Sequence, residues 1–260
     1  MGLRTVNVTR YISPLREGGS LPALAEADDD FKYVVKFKGA GHGSKALIAE
    51  LIGGEIARLL SLKIPELVFI NLEEAFGRME PDEEIQDLLR ASKGLNLGLH
   101  YLSSATTFDP IAFKVDSALA SKIVWLDAFL TNIDRTVKNT NMLVWHKELW
   151  LIDQGASLYF HHSWVNWEKL SITPFSQVKD HVLLPLATQL EDADIFAKKY
   201  INEESLKKIV NLIPEEWINL EDFDENIDQV KSIYLEYLLR RLNHTQIFIK
   251  EAQNARKTLI

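Results

Sequence analysis

Asn132 to Gly155 reads NIDRTVKNTNMLVWHKELWLIDQG, and the reading of the whole chain turns on it. Two apolar runs, Met142 to Trp145 and Leu149 to Ile152, flank the polar residues His146, Lys147 and Glu148. That pattern predicts two short strands joined by a tight turn. With His146 as the turn centre, Asn139 and Asp153 are each seven residues away and become approximate cross-strand neighbours. Asp134 then lies in the loop just before the ribbon.

This grouping has a chemical use. A carboxamide and a carboxylate on neighbouring strands offer hard oxygens to magnesium, which takes few protein ligands and completes its shell with phosphate and water. A second carboxylate in the loop, Asp134, can orient an attacking hydroxyl and accept its proton. The five-residue interval from Asp134 to Asn139 equals that of the D-x-x-x-x-N catalytic loop of protein kinases. Asp153-Gln154-Gly155 stands where that pattern has Asp-Phe-Gly. The plainer alternative is a β-hairpin with a polar mouth, since Asp, Asn and Thr favour loops for backbone reasons alone.

Bulk properties narrow the classes. The chain has 260 residues, 47% hydrophobic and 25% charged, which suits one or two globular domains. A net charge of −8 argues against a mainly electrostatic nucleic-acid binder, so no direct nucleic-acid binding is expected. With no cysteine, disulfides, thiol catalysis and zinc–thiolate sites are excluded. No apolar run reaches the roughly 20 residues of a membrane span, and MGLRTVNVTR lacks a signal-peptide core. The expectation is a cytoplasmic protein without membrane contact.

The N-terminal part reads as a small sheet with one main helix. Thr5 to Ser13 alternates as a first strand, and Leu21 to Glu26 returns after a turn containing Gly18, Gly19 and Ser20. Such a turn can bring backbone N–H groups to phosphates or can serve only as a turn. Phe31 to Lys38 is the strongest strand, with Val35 and Phe37 on one face and Val34, Lys36 and Lys38 on the other. Lys36 either snorkels to solvent or pairs with phosphates and an acid. Ser44 to Leu60 is spaced as a helix and offers two candidates for that acid, Glu50 and Glu55. Gly53-Gly54 within it marks close packing. Gly39 to Lys45 is no P-loop, because Ser44 separates Gly43 from Lys45. Ile64 to Leu72 reads as a strand, Pro81 to Ala91 as an amphipathic helix, and Leu95 to Leu102 as a strand leading to a hinge.

Beyond Asp109-Pro110 the character changes. Val115 to Thr131 is a long apolar helix that feeds Asn132. Ala156 to Ser176 is aromatic and irregular, and its adjacent His161 and His162 read as surface loop rather than metal ligands. From Asp180 the chain is helical, with acids gathered at Glu191, Asp192, Asp194, Glu203, Glu204 and Glu215 to Asp228. These form a solvated face or a docking surface for a basic partner.

The order of glycine turn, strand lysine, helix glutamate, hinge strand, Asp-to-Asn loop, hairpin and Asp resembles the HipA-like serine/threonine kinases, in particular their short bacterial branch. REGGSLPAL, YVVKFKGAG, the Glu50 helix running to Ile64-Pro65, GLNLGLHYL and N-x-D-R-x-x-x-N-T-N carry the resemblance, from about Arg10 into the C-terminal helices. It implies an α+β, bilobed, protein-kinase-like fold, with a small β-rich N-lobe at 1–104 and a mainly helical C-lobe at 105–260. It implies ATP and Mg2+ as cofactors and a serine or threonine of a protein as acceptor. Lys36 would hold ATP phosphates and Glu50 would be its partner. Asp134 would be the catalytic base, and Asn139 and Asp153 would hold the metal. Gly18, Gly19 and Ser20 would belong to the phosphate-covering turn. Thr136 stands where many kinases place a lysine, and Lys138 would supply that charge. Gln154 replaces the aromatic residue of Asp-Phe-Gly, and no Ala-Pro-Glu motif follows, so the expectation is an atypical kinase. The chain is shorter than the larger HipA toxins with their extra N-terminal domain, which leaves an antitoxin-like or regulatory partner open. A small-molecule or lipid kinase of the same fold, and a nucleotide-binding pseudokinase or interaction module, are the competing readings.

Overall fold

Alternating burial in the N-terminal part gives five strands: β1 (Thr5–Pro14), β2 (Ala23–Ala27), β3 (Lys32–Lys36), β4 (Leu67–Leu72) and β5 (Gly94–His100). The computed structural model, which describes residues 2–15, 21–41, 43–73, 82–218 and 226–259, closes them into a barrel in the order β1-β2-β3-β5-β4. Neighbours run antiparallel except β1 and β4, which are parallel. Tyr33 and Val35 of β3, followed by Phe37, bury one face against Val6, Ala25 and Ile70, while Lys36 takes the opposite face, as strand alternation requires. Gly98 pairs with Val35, and a Cβ there would lie 2.9 Å from Val68 Cγ2, so glycine lets the barrel stay narrow.

Helix α1 (Gly43–Leu59) packs against this barrel. Its glycine pair is a contact point, because a Cβ on Gly54 would come within 2.6 Å of Leu67 Cδ1. The fourth strand begins at Leu67, later than the periodicity from Ile64 predicts. Pro65 has no N–H to give a ladder, so pairing starts beyond it. Helix α2 (Glu83–Ala91) follows, with the Asp82 side chain accepting from the Glu84 N–H at its start.

The second half is mostly helical. Helix α3 (Ser117–Leu130) is almost wholly buried and stacks Trp125 on Phe129 with centroids 5.1 Å apart. It is fixed at both ends. The Leu119 N–H bonds to Asp116 Oδ1 at 2.9 Å, and buried Arg241 donates to the Ala128 and Phe129 carbonyls at 2.6 Å each. That arginine satisfies carbonyls the helix leaves open and complements its negative end. Thr131 then turns the chain out at φ 57°. Strands β6 (Thr106–Thr107), β7 (Met142–Trp145) and β8 (Glu148–Leu151) form a three-stranded sheet, and α4 (Trp167–Ser171), α5 (Leu190–Tyr200), α6 (Glu203–Val210), α7 (Ile227–Asn243) and α8 (Gln246–Lys257) complete the chain. The whole is a mixed α/β protein with a small sheet region and several helices.

Three expectations need correction. The β7–β8 turn is centred between His146 and Lys147, with Trp145 paired to Glu148, so the frame runs Met142 to Leu151 and does not set Asn139 opposite Asp153. His161 is not on a surface loop; it is fully buried, with Nδ1 3.1 Å from the Tyr234 hydroxyl. The acidic residues do not all face solvent either. Asp194 is buried and accepts from Trp125 Nε1 at 3.0 Å, whereas Glu216 stays exposed while pairing with Lys38 at 2.6 Å. Among the described residues no helix is long and apolar enough to cross a membrane.

Candidate active site

Lys36 lies on the outer face of β3, and its ammonium is shared between two acids. Nζ is 2.6 Å from Glu50 Oε2 on α1 and 2.6 Å from Asp153 Oδ1 just past β8. Glu50 rather than Glu55 therefore meets the lysine; Glu55 turns to Arg58 on its own helix at 3.2 Å. Glu50 Oε2 also accepts the Gln154 backbone N–H at 2.7 Å, so one buried carboxylate ties the sheet lysine to the segment after the hairpin. Burial alone would lower the Lys36 pKa, but the carboxylates of Glu50 and Asp153 outweigh it and hold the lysine above its ordinary value. The same lysine holds Asp153 below the usual carboxylate range. Burial raises Glu50, against the pull of Lys36 and the Gln154 N–H. The Asp153 side chain keeps 46% of its surface exposed, so part of its carboxylate faces solvent.

A second cluster is built on Asp134. Asn139 Nδ2 donates to Asp134 Oδ2 at 2.7 Å and Asn141 Nδ2 donates to the same oxygen at 3.1 Å. The Asp134 N–H bonds back to Asn132 Oδ1 at 3.1 Å, and the Thr136 N–H bonds to the Asn139 carbonyl at 2.9 Å, which closes the loop on itself. Asp134 is half-buried, whereas Lys138 and Asn139 are exposed. Gly18, Gly19 and Ser20 lie outside the described residues.

A buried network that the sequence reading missed joins the two clusters. Arg135 and Asp127 are both inaccessible, with Arg135 Nε 2.6 Å from Asp127 Oδ2. His181 Nε2 is 2.9 Å from the same oxygen, and Asn132 Nδ2 donates to Asp127 Oδ1 at 3.0 Å. His181 Nδ1 accepts the Leu183 N–H at 3.0 Å, which assigns the ring proton to Nε2 as a donor to Asp127. Arg135 also donates to the carbonyls of Asn141 and, at 3.4 Å, Ile152. Its guanidinium thus spans from the loop of Asp134 to the residue before Asp153. Burial would raise Asp127, but Arg135 and His181 together hold it below its ordinary value. The sequence carried one sign of this network: Asp127 interrupts the apolar run from Ile123 to Leu130.

The arrangement suits phosphoryl transfer. It offers a fixed ammonium for phosphate, a carboxylate aimed by amides for a hydroxyl proton, and hard oxygens on Asp153 and Asn139. Because Asn139 donates to Asp134 through its nitrogen, its amide oxygen is the atom it can offer to a cation. Those oxygens fit magnesium in kind. Among the described residues no group of three or more His, Asp or Glu is arranged to hold a metal by itself.

Comparison with known proteins agrees with this chemistry. A family model for HipA-like kinases matches residues 8–250. No curated protein matches the chain. Among solved structures, a Helicobacter pylori proinflammatory kinase, CtkA, is similar with a TM-score of 0.53 over 100% of this chain and 98% of its own, at 13% sequence identity. At that identity the likeness is one of fold.

Proposed function

The chain belongs to the HipA-like kinase family, and on that premise we propose that it is an ATP- and magnesium-dependent kinase whose acceptor is a serine or threonine hydroxyl of a protein. The observation that carries the reading is the pairing of Lys36 with both Glu50 and Asp153, alongside an Asp134 carboxylate aimed by Asn139. In this reading the protein divides into a strand-rich lobe at 1–104 and a helical lobe at 105–260, and it works in the cytoplasm.

Magnesium-bound ATP would supply the phosphoryl group and neutralise its charge. Lys36 holds phosphate oxygens, and Glu50 keeps the lysine in place. Asp153 and Asn139 would hold the metal. Asp134 positions the acceptor hydroxyl and takes its proton. Lys138, exposed on the loop, adds positive charge near the transferred group. By the family resemblance, Gly18, Gly19 and Ser20 would cover the phosphates. An antitoxin-like or regulatory partner remains part of the proposal, as in the family's larger toxins.

One feature supports a polypeptide acceptor over a small molecule. A cavity of about 430 Å³ is lined by Thr131, Ile133, Tyr159, Leu170, Phe175 and Tyr237, among others. Ile133 immediately precedes Asp134, and among the described residues the lining carries no charged side chain. Apolar side chains such as Ile133, Tyr159 and Leu170 are exposed there, which suits a flanking residue of a peptide. The test is incubation with labelled ATP in cell extract, followed by separation of proteins from metabolites. Label on protein serine or threonine is the expected result. Label confined to a small metabolite would contradict the protein acceptor while keeping the kinase.

A further inference from the structure

We propose that Asn141 is a positioning residue that sets the rotamer of Asp134, an inference that rests on the kinase reading above. Asp134 Oδ2 accepts two amide hydrogen bonds, from Asn139 Nδ2 at 2.7 Å and Asn141 Nδ2 at 3.1 Å. A carboxylate oxygen has about two lone-pair sites, so both on Oδ2 are occupied. Oδ1 is left as the atom that receives the hydroxyl proton.

The two amides are anchored differently. Asn139 is exposed on the loop. Asn141 is buried, and its carbonyl accepts from the Arg135 guanidinium and from the Ile152 N–H at 3.0 Å. Arg135 is itself held by Asp127. Asn141 also sits at φ 46°, a left-handed conformation that Asn tolerates better than most residues. It is the last residue before β7, in the same hairpin that ends at Asp153. The Asp134 carboxylate is therefore referenced to the element that carries Asp153, whatever the exposed Asn139 side chain does.

The test compares wild type with Asn141→Ala, Asn141→Gly, Asn141→Gln and Asp134→Ala. For Asn141→Ala the expected result is ATP turnover lowered about 10- to 100-fold, the scale of a small misplacement of a reacting group. The KM for ATP should stay unchanged, because the loss belongs to the transition state. Asn141→Gln, which keeps an amide donor, should restore part of the rate. A crystal structure of Asn141→Ala should show the Asp134 carboxylate rotated. If Asn141→Ala does not fold, Asn141→Gly, which removes the donor and suits the left-handed backbone at φ 46°, carries the same comparison. Wild-type turnover in Asn141→Ala beside an inactive Asp134→Ala overturns the inference, as does an unmoved Asp134 rotamer. Full activity in Asp134→Ala would also overturn it by removing Asp134 from the mechanism, whereas no turnover by wild type would overturn the kinase reading beneath it.

Discussion

Lys36 Nζ lies 2.6 Å from Asp153 Oδ1, although 117 residues separate them in the chain. The contact joins the outer face of β3 to the end of the β7–β8 hairpin, and Glu50 reaches both sides of the join through Lys36 and the Gln154 N–H. Glu50→Ala would free the lysine from its helix partner and leave the Gln154 N–H without that acceptor. The expected outcome is a drop in phosphoryl transfer of about 100-fold, the scale of lost orientation. Steady-state kinetics of wild type and variant check it, and a Glu50→Ala enzyme with unchanged kcat and KM would remove the pair from the mechanism.

The buried Asp127–Arg135 pair carries a stability prediction. Removing one partner leaves the other charge buried and uncompensated, which costs about 3–5 kcal/mol. Asp127→Asn should lower unfolding free energy by about that amount in urea titration, since Arg135 keeps its position at 0% exposure. A loss of less than about 1 kcal/mol, the scale of a surface pair, would mean that the network is not held as an ion pair.

The same residue gives a pH dependence. The folded pKa of Asp127 is below its ordinary value of 3.8, so the folded state binds its proton less tightly than the unfolded chain does. The stability this contributes is fully present above pH 3.8 and is lost as pH falls through the lower folded value. Glu50 acts with the opposite sign, because its folded pKa is raised, and so offsets part of the acid loss. Arg135 and His181 are the groups that face Asp127, at 2.6 and 2.9 Å from its Oδ2. Urea midpoints measured from about pH 4 down to about pH 2 should therefore fall more steeply in wild type than in Asp127→Asn. Parallel curves would contradict the assignment.

Gly53 is a packing prediction. A Cβ there would sit 2.8 Å from Gln154 Cβ, 3.1 Å from Gln154 Cγ and 3.3 Å from Leu130 Cδ1. Alanine gains about 1 kcal/mol of helix propensity over glycine. Overpacking against a buried side chain costs about 1–3 kcal/mol and wins here. Gly53→Ala should lower the melting temperature and reduce transfer, because the displaced residue adjoins Asp153. A more stable variant with full activity would show that the helix can move aside freely.

Much of this was legible because it is local. Strand alternation separates Lys36 from Val35, and helical periodicity leaves Glu50 and Glu55 as the candidates for its partner. Which glutamate is chosen depends on how α1 lies on the barrel, a tertiary fact set in part by Gly54 against Leu67. The hairpin was readable from its two apolar runs, but its register was not. His146 and Lys147 both take positive φ, 50° and 63°, in a two-residue turn normally signalled by Asn-Gly, and the sequence gives no such signal. The Asp127–Arg135–His181 network showed in the sequence only as a lone Asp127 among apolar residues, because His181 lies 54 residues away and its approach depends on the path of the whole second half. His161 looked polar enough for a loop, and only the aromatic packing around Tyr234 buries it.

Magnesium-dependent transfer from labelled ATP, measured for wild type and Asp134→Ala side by side, tests the central claim most directly. The account predicts label on protein with wild type, its loss when magnesium is chelated, and its loss in Asp134→Ala with the circular dichroism spectrum unchanged. Equal transfer by both proteins, or nucleotide binding by both with no transfer to any acceptor, would contradict it.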